Sequence, residues 1–238
     1  MPGTGTGPAT QTRILLIGGL DPSGRAGLLA DLRTVHELGA RAAAVATSLT
    51  AQGGRRYRAQ SVSPALIDAQ IEAVGPVDAI KVGVVPNRAV LRVVEKWIRT
   101  LGVPAVVDPV TRTSRGERLS SLTARDFVRL EGVVLTPNAS EAAVARAPCV
   151  VKSVRPACDE VLLDGKSPVL LKGTVLSRDP KLHRGTGCRF ASALAVALAR
   201  GQGLVPAAKA ARRHVRKFLA GPIIREVQGR PKEPESPP

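Results

Sequence analysis

Short apolar runs recur along this 238-residue chain, and each is followed by a longer stretch in which apolar residues return every third or fourth position. The runs RILLIGG (13–19), RAAAVATS (41–48), DAIKVGV (78–84), PAVVDPV (104–110), GVVLTP (132–137) and PVLLKG (168–173) are apolar on both faces. Gly, Pro or Asp bounds them, as is usual for buried parallel strands. Amphipathic helices are predicted at 24–38, 64–74, 87–101, 122–130, 139–147 and 153–164, with a long helix after Gly187 and another over 205–219. Strand–helix alternation with right-handed crossovers predicts an α/β fold, a three-layer αβα sandwich around a mostly parallel central sheet. Neither a repeat nor a linker interrupts residues 13–228, which are read as one domain. The Gly/Pro-rich ends, 1–12 and 229–238, are expected to be disordered tails.

Composition narrows the class. With 44% apolar residues and 2% aromatics, the core must rest on Val, Leu, Ile and Ala. No apolar run approaches the roughly 20 residues that cross a bilayer. The opening MPGTGTGPATQT lacks the regions of a signal peptide, so a cytoplasmic protein without a membrane partner is expected. Three cysteines, Cys149, Cys158 and Cys188, point neither to a disulfide framework nor to a structural zinc site. The formal charge of +16 attracts anions, whether nucleic acid or phosphorylated metabolites. Arginines spread over solvated helix faces give the same number. The dense runs GGRRYR and ARRHVRK lack the interleaved aromatics on which single-stranded bases stack, so nucleic acid is not the expected partner.

In a sheet of this kind ligands bind outside the carboxyl ends of the strands. GTGTG (3–7) precedes the first strand and is discarded as a phosphate loop. GGLDPSGRAGLLADL (18–32) lies where a ligand would approach: Gly18 and Gly19 admit close contact with backbone, and Asp31 falls about two helical turns after Gly24. A plain turn would use similar residues. In HRGTGCRFASALAVALA (183–199), Gly185-Thr186-Gly187 precedes a long helix whose free amides suit phosphate. Cys188 in the first turn would be favoured as thiolate by the helix dipole, or would be a buried thiol behind a Gly-rich cap. TPNASE (136–141) sets Asn138 and Glu141 three apart, which suits water around a phosphate-held Mg²⁺ and equally a helix cap. Asp108 adds a carboxylate at a further strand end.

Taken together, these segments resemble the hydroxymethylpyrimidine and phosphomethylpyrimidine kinases of thiamine biosynthesis, in the ribokinase-like superfamily. The matching motifs are GLDPSGRAGLLAD (19–31), TSLTAQ (47–52), KVG (81–83), DPV (108–110), NASE (138–141), Lys172-Gly173 and GTGC (185–188), in collinear order. The resemblance implies ATP-dependent phosphorylation of a hydroxymethyl group on an aminopyrimidine, with Mg²⁺. By analogy Gly19, Asp31, Gln52 and Val110 contact the pyrimidine. Gly185, Thr186 and Gly187 hold the transferring phosphoryl group, and Cys188 stands where most of the superfamily carries a catalytic Asp. Lys172, Gly173, Asn138 and Arg184 would lie on the nucleotide side, with Glu141 and Asp108 near the metal. Relatives commonly form dimers.

Departures from the family pattern bear on the nucleotide side. Only TVLSRDPKLHR separates Lys172-Gly173 from Gly185, where relatives have a longer stretch. Arg184 replaces the usual His, with His183 one step earlier, and Arg115 stands near the usual Lys. Two readings result: an active pyrimidine kinase, or a non-catalytic pyrimidine-binding homologue that has lost efficient ATP use. The shortened segment favours the second, and the intact GTGC and NASE motifs favour the first.

Overall fold

The computed structural model describes residues 11–51, 57–113, 116–142, 145–176 and 184–221. Along them the chain runs β1 (Arg13–Leu20), α1 (Gly27–Glu37), β2 (Arg41–Ala51), β3 (Arg58–Ser61), α2 (Pro64–Glu72), β4 (Ala79–Val82), α3 (Arg88–Leu101), β5 (Ala105–Val107), α4 (Ala124–Phe127), β6 (Val133–Leu135), β7 (Cys149–Arg155), β8 (Cys158–Leu162), β9 (Val169–Lys172), α5 (Thr186–Ala199) and α6 (Leu204–Ala220). One sheet takes the order β3-β2-β1-β4-β5-β6-β7-β8-β9. The pairs from β2 to β7 are parallel, and β3, β8 and β9 pair antiparallel with their inner neighbours. The sheet is therefore one large, mostly parallel α/β sheet. From β1 the chain goes first to β2 on one side and then to β4 on the other, so the strand order reverses between β1 and β4. Such a reversal opens a crevice at the carboxyl ends of the strands.

The alternation of β1 divides its side chains between two cores. Leu15 and Ile17 pack with Ile67 and Ile71 of α2 and with Val90, Leu91, Val94 and Ile98 of α3. Ile14 and Leu16 pack with Leu28 and Val35 of α1 and with the buried faces of α5 and α6. Starts and stops follow local chemistry. Ser63 caps α2 by accepting from the Leu66 amide at 3.3 Å, just ahead of Pro64. Asn87 caps α3 by accepting from Val90 at 3.0 Å, and Gly102 ends it at φ +62°.

All six predicted strands are present. The predicted helix 153–164 is not: that stretch lies in the β7–β8 hairpin, turned at Pro156-Ala157. Proline inside a helix removes a hydrogen bond and clashes with the preceding turn, while Val150, Val151, Val154 and Val161 suit a pleated surface. The predicted helix 139–147 is also absent from the described residues, where 139–142 form a turn and a single 3₁₀ residue (143–144 lie outside them). The helix expected over 122–130 contracts to α4. The expected tails lie outside the described residues, apart from Gln11 and Thr12.

A polar contact crosses the core beside the strand-order reversal. Lys81 of β4 is fully buried and donates to Asp31 Oδ2 of α1 at 2.6 Å. Ser192 of α5 donates to Asp31 Oδ1 at 2.8 Å. Removing one partner of a buried pair leaves the other charge uncompensated, a loss of about 3–5 kcal/mol. Asp31→Ala should lower the urea midpoint accordingly, and combining Asp31→Leu with Lys81→Met should recover most of that loss. A single variant as stable as the parent would show that the pair contributes nothing to the fold.

Candidate active site

The carboxyl ends of the parallel strands open onto a cavity of about 450 Å³. The sequence explains the opening. At Gly18/Gly19 the β1–β2 register shifts, and a Cβ on Gly19 would lie 3.0 Å from Ser48 Oγ. Gly27 has φ +61°, and a Cβ there would overlap the Gly19 carbonyl oxygen, so the loop after β1 folds tightly onto its own strand. A side chain on Gly83 would press on Lys81 Nζ, 2.9 Å from the Cβ position.

Of the residues singled out from the sequence, Gly18, Gly19, Asp31, Asp108, Val110, Asn138, Glu141, Arg184, Gly185, Thr186, Gly187 and Cys188 line this cavity. Gln52 lies outside the described residues, as do Arg115 and His183. Lys172 and Gly173 are described but exposed, and they are not among the lining residues. The residues that follow them, Thr174, Val175 and Leu176, do line it. Lys172 sits on the edge strand β9, three strands beyond β6, whereas Lys152 follows β6 directly in the sheet and reaches the cavity. Lys152 Nζ lies 2.7 Å from Asp108 Oδ1 and 3.2 Å from where a Gly187 Cβ would be. Residues 153–184 separate Lys152 from Gly185 and include β8 and β9.

One half of the cavity is built on the start of α5. Gly185 takes φ +81° as N-cap, and Thr186, Gly187 and Cys188 make the first turn, where free amides gather. Beside it Asp108 is buried, with Lys152 and, at 3.4 Å, Thr136 Oγ1 as partners. Asn138 and Glu141 make a reciprocal pair: Asn138 Oδ1 accepts from the Glu141 amide at 3.1 Å, and Glu141 Oε2 accepts from the Asn138 amide at 3.0 Å. The capping chemistry foreseen for NASE is thus present without the helix. Burial raises the Glu141 carboxyl above its ordinary value, and the Asp108 charge adds to the rise. Among the described residues no three His, Cys, Asp or Glu side chains gather as a metal site. Two mutually repelling carboxylates are nevertheless a donor set that fits Mg²⁺ when phosphate oxygens and water supply the other ligands.

The sequence leaves the charge state of Cys188 open. Although the first turn of α5 favours a thiolate, desolvation raises the thiol above its ordinary value, with Asp31 and Asp108 adding to the rise. Lys81 and the Gly27 amide work in the opposite direction. Burial disfavours the Lys81 ammonium, but Asp31, Cys188 and Asp108 outweigh it and hold the group charged. Cys188 itself is half-buried at the cavity wall, so desolvation favours its neutral form while the nearby Lys81 cation opposes that.

Sequence reasoning missed Lys152, Ser192 and the role of Lys81. For Lys81 the signal was a lysine inside an otherwise apolar strand, DAIKVGV. At the far end of the cavity α6 adds Arg212, bonded to Asp159 Oδ2 at 2.7 Å, and Arg216, bonded to the Thr174 carbonyl at 2.8 Å. Val175, Leu176, Val215 and Leu219 line the same end.

A raised thiol predicts slow alkylation of Cys188 at neutral pH, with a rate that still climbs above 9.0, the ordinary thiol value. Cys149, buried and pushed up to about 12, should stay silent throughout. Peptide mass spectrometry after iodoacetamide at graded pH reads both. A plateau below about pH 7.5 would instead mark an activated thiolate.

Comparison with known proteins gives a consistent set of similarities. Residues 21–183 match the family model described as phosphomethylpyrimidine kinase. A hydroxymethylpyrimidine/phosphomethylpyrimidine kinase of Streptomyces coelicolor is 32% identical, across 88% of this chain and 89% of its own length. Among solved structures, the phosphomethylpyrimidine kinase of Clostridium difficile superposes with a TM-score of 0.70 at 21% identity, covering 87% of this chain and 99% of that one. The pyridoxal kinase of Staphylococcus aureus, in complex with pyridoxal, gives 0.76 at 22% identity over 88% of each chain. That enzyme is also known in complex with ADP and with AMP-PCP.

Proposed function

The chain belongs to the phosphomethylpyrimidine kinase family, and from that premise we propose that it transfers a phosphoryl group from ATP to 4-amino-5-hydroxymethyl-2-methylpyrimidine, to its monophosphate, or to both, in thiamine biosynthesis. The observation that carries the reading is the convergence of Asp108, Lys152, Cys188 and the Gly185–Gly187 turn on one cavity. The non-catalytic alternative rests on the short stretch between Lys172-Gly173 and Gly185 alone. We take residues 13–228 as one ribokinase-like kinase domain, a three-layer αβα sandwich, because helices cover both faces of its single sheet. We assign it to the cytoplasm as a homodimer acting on small molecules. Among the described residues no helix is long and apolar enough to cross a membrane.

In this reading the pyrimidine lies beside Gly19, Asp31 and Val110, and Gln52 is assigned to it from the sequence motif alone. A carboxylate accepts from an exocyclic amine, and an amide offers both donor and acceptor. ATP with Mg²⁺ supplies the phosphoryl group and screens its charge. Asp108 and Glu141 would hold Mg²⁺, with Asn138 fixing Glu141. Lys152 and the amides of Gly185, Thr186 and Gly187 bind the phosphoryl oxygens. Phosphoryl transfer is loose, so positioning and charge neutralisation count for more than base strength. Cys188 can act as base only as its thiolate, which the Lys81 cation favours: the resting thiol first releases its own proton to solvent, and the thiolate then takes the substrate hydroxyl proton as the new O–P bond forms and the bond to ADP breaks. Arg212, Arg216 and the apolar residues around them form the nucleotide's outer wall.

ATP consumption should appear when hydroxymethylpyrimidine or its monophosphate is added, and pyrimidine binding without consumption would reinstate the non-catalytic reading. Cys188→Ala should lower kcat by roughly 10²-fold, the low end for a positioned proton transfer, with pyrimidine affinity nearly unchanged. Lys152→Ala should lower kcat/KM for ATP at least about ten-fold, as loss of a charged hydrogen bond does. Lys172→Ala, an exposed change, should stay within about two-fold. The reverse ranking of the two lysines would restore the original assignment.

A further inference from the structure

The loop after β1 and the turn that starts α5 are more than 150 residues apart in sequence, yet three contacts interlock them. Arg184, immediately before the turn, bonds Asp21 Oδ2 at 2.7 Å, with side-chain exposures of 13% and 1%. Asp21 is itself fixed by Ser23, whose amide and hydroxyl donate to Oδ1 at 3.1 and 2.8 Å. Gly185 packs so closely that a Cβ there would overlap the Arg25 carbonyl oxygen. The Gly27 amide lies close enough to the Cys188 sulfur to favour its thiolate.

We propose that Arg184 and Asp21 are positioning residues: their ion pair clamps the substrate-side loop onto the phosphoryl-transfer turn and so sets Cys188 against the substrate hydroxyl. Arg184, read from the sequence as a nucleotide ligand, acts through the turn instead. The geometry supports this division. The guanidinium bonds a nearly buried carboxylate, and a charge-assisted bond of that kind is among the stronger side-chain contacts. Sliding of the turn relative to the loop would move the thiol and the Gly185–Gly187 amides together. The other two contacts are short-range and depend on that register, so the ion pair is the element that can hold it at a distance.

This inference rests on the kinase reading, so its test includes a readout that needs no turnover. In the purified full-length chain, Arg184→Gln and Asp21→Asn should each lower kcat roughly ten- to hundred-fold, the effect of displacing a reacting group by about 1 Å. KM for ATP should stay within about two-fold, since no phosphate contact is lost. Arg184→Lys should restore most of kcat. Independently of turnover, the rate of Cys188 alkylation at fixed pH should rise several-fold in Arg184→Gln, because its cover is released. If a single variant fails to fold, the charge-exchanged pair Asp21→Arg with Arg184→Asp is measured in its place and should retain the slow alkylation of the parent. A raised KM for ATP with kcat unchanged would make Arg184 a nucleotide ligand and overturn the clamp. Unchanged alkylation in Arg184→Gln, or fast alkylation in the charge-exchanged chain, would overturn it even if the parent shows no kinase activity.

Discussion

A lysine ammonium buried in the middle of a parallel sheet organises this molecule. Taking a charge out of water costs several kcal/mol unless it is paired, and Lys81 is paired by Asp31 at 2.6 Å. That requirement ties three elements together: β4 carries the lysine, α1 the carboxylate, and α5 the Ser192 hydroxyl that satisfies its other oxygen. Gly83 must stay without a side chain because the ammonium fills the space beside it. The same charge lies in the floor of the cavity, where it attracts Asp108 and Cys188. One buried ion pair thus fixes how the helices that bear the two halves of the site sit on the sheet.

The cavity divides according to which strand ends supply it. The glycine-rich end of β1, with Val110 past β5, offers backbone and small side chains to a flat ring. Beyond the strand-order reversal, Asp108 follows β5, Asn138 and Glu141 follow β6, and Lys152 lies within β7; the charges of this side are those of Asp108, Glu141 and Lys152. The start of α5 lies between these halves. Its amides face the phosphate side, and its packing against the first loop keeps it in register with the ring side.

Much of this was legible in the sequence because strands buried on both faces read as plain apolar runs. β1, β4, β5 and β6 were placed by that pattern alone, and the motifs at their ends were placed with them. β7 and β8 were not, since CVVKSVRPACDEVLL also carries apolar residues at helical spacing, and only Pro156 argues against a helix. That one misreading propagated. A helix starting at 153 leaves no strand to carry Lys152 to the cavity, so that lysine was not legible, and the Lys-Gly motif pointed to Lys172 alone. For Cys188 the sequence left thiolate and buried thiol both open. A helix start favours thiolate, but the depth of burial that opposes it depends on Lys81, Asp31 and the Gly27 loop, which are distant in sequence.

The account stands on the claim that one cavity brings the pyrimidine hydroxyl, the transferring phosphate and Lys152 together. A crystal structure of the chain with a non-hydrolysable ATP analogue, Mg²⁺ and hydroxymethylpyrimidine tests it most directly. The account predicts the γ-phosphate on the Gly185–Gly187 turn within hydrogen-bond reach of Lys152, and the substrate hydroxyl beside Cys188. A nucleotide bound against Lys172, or a pyrimidine seated away from Cys188, would contradict it.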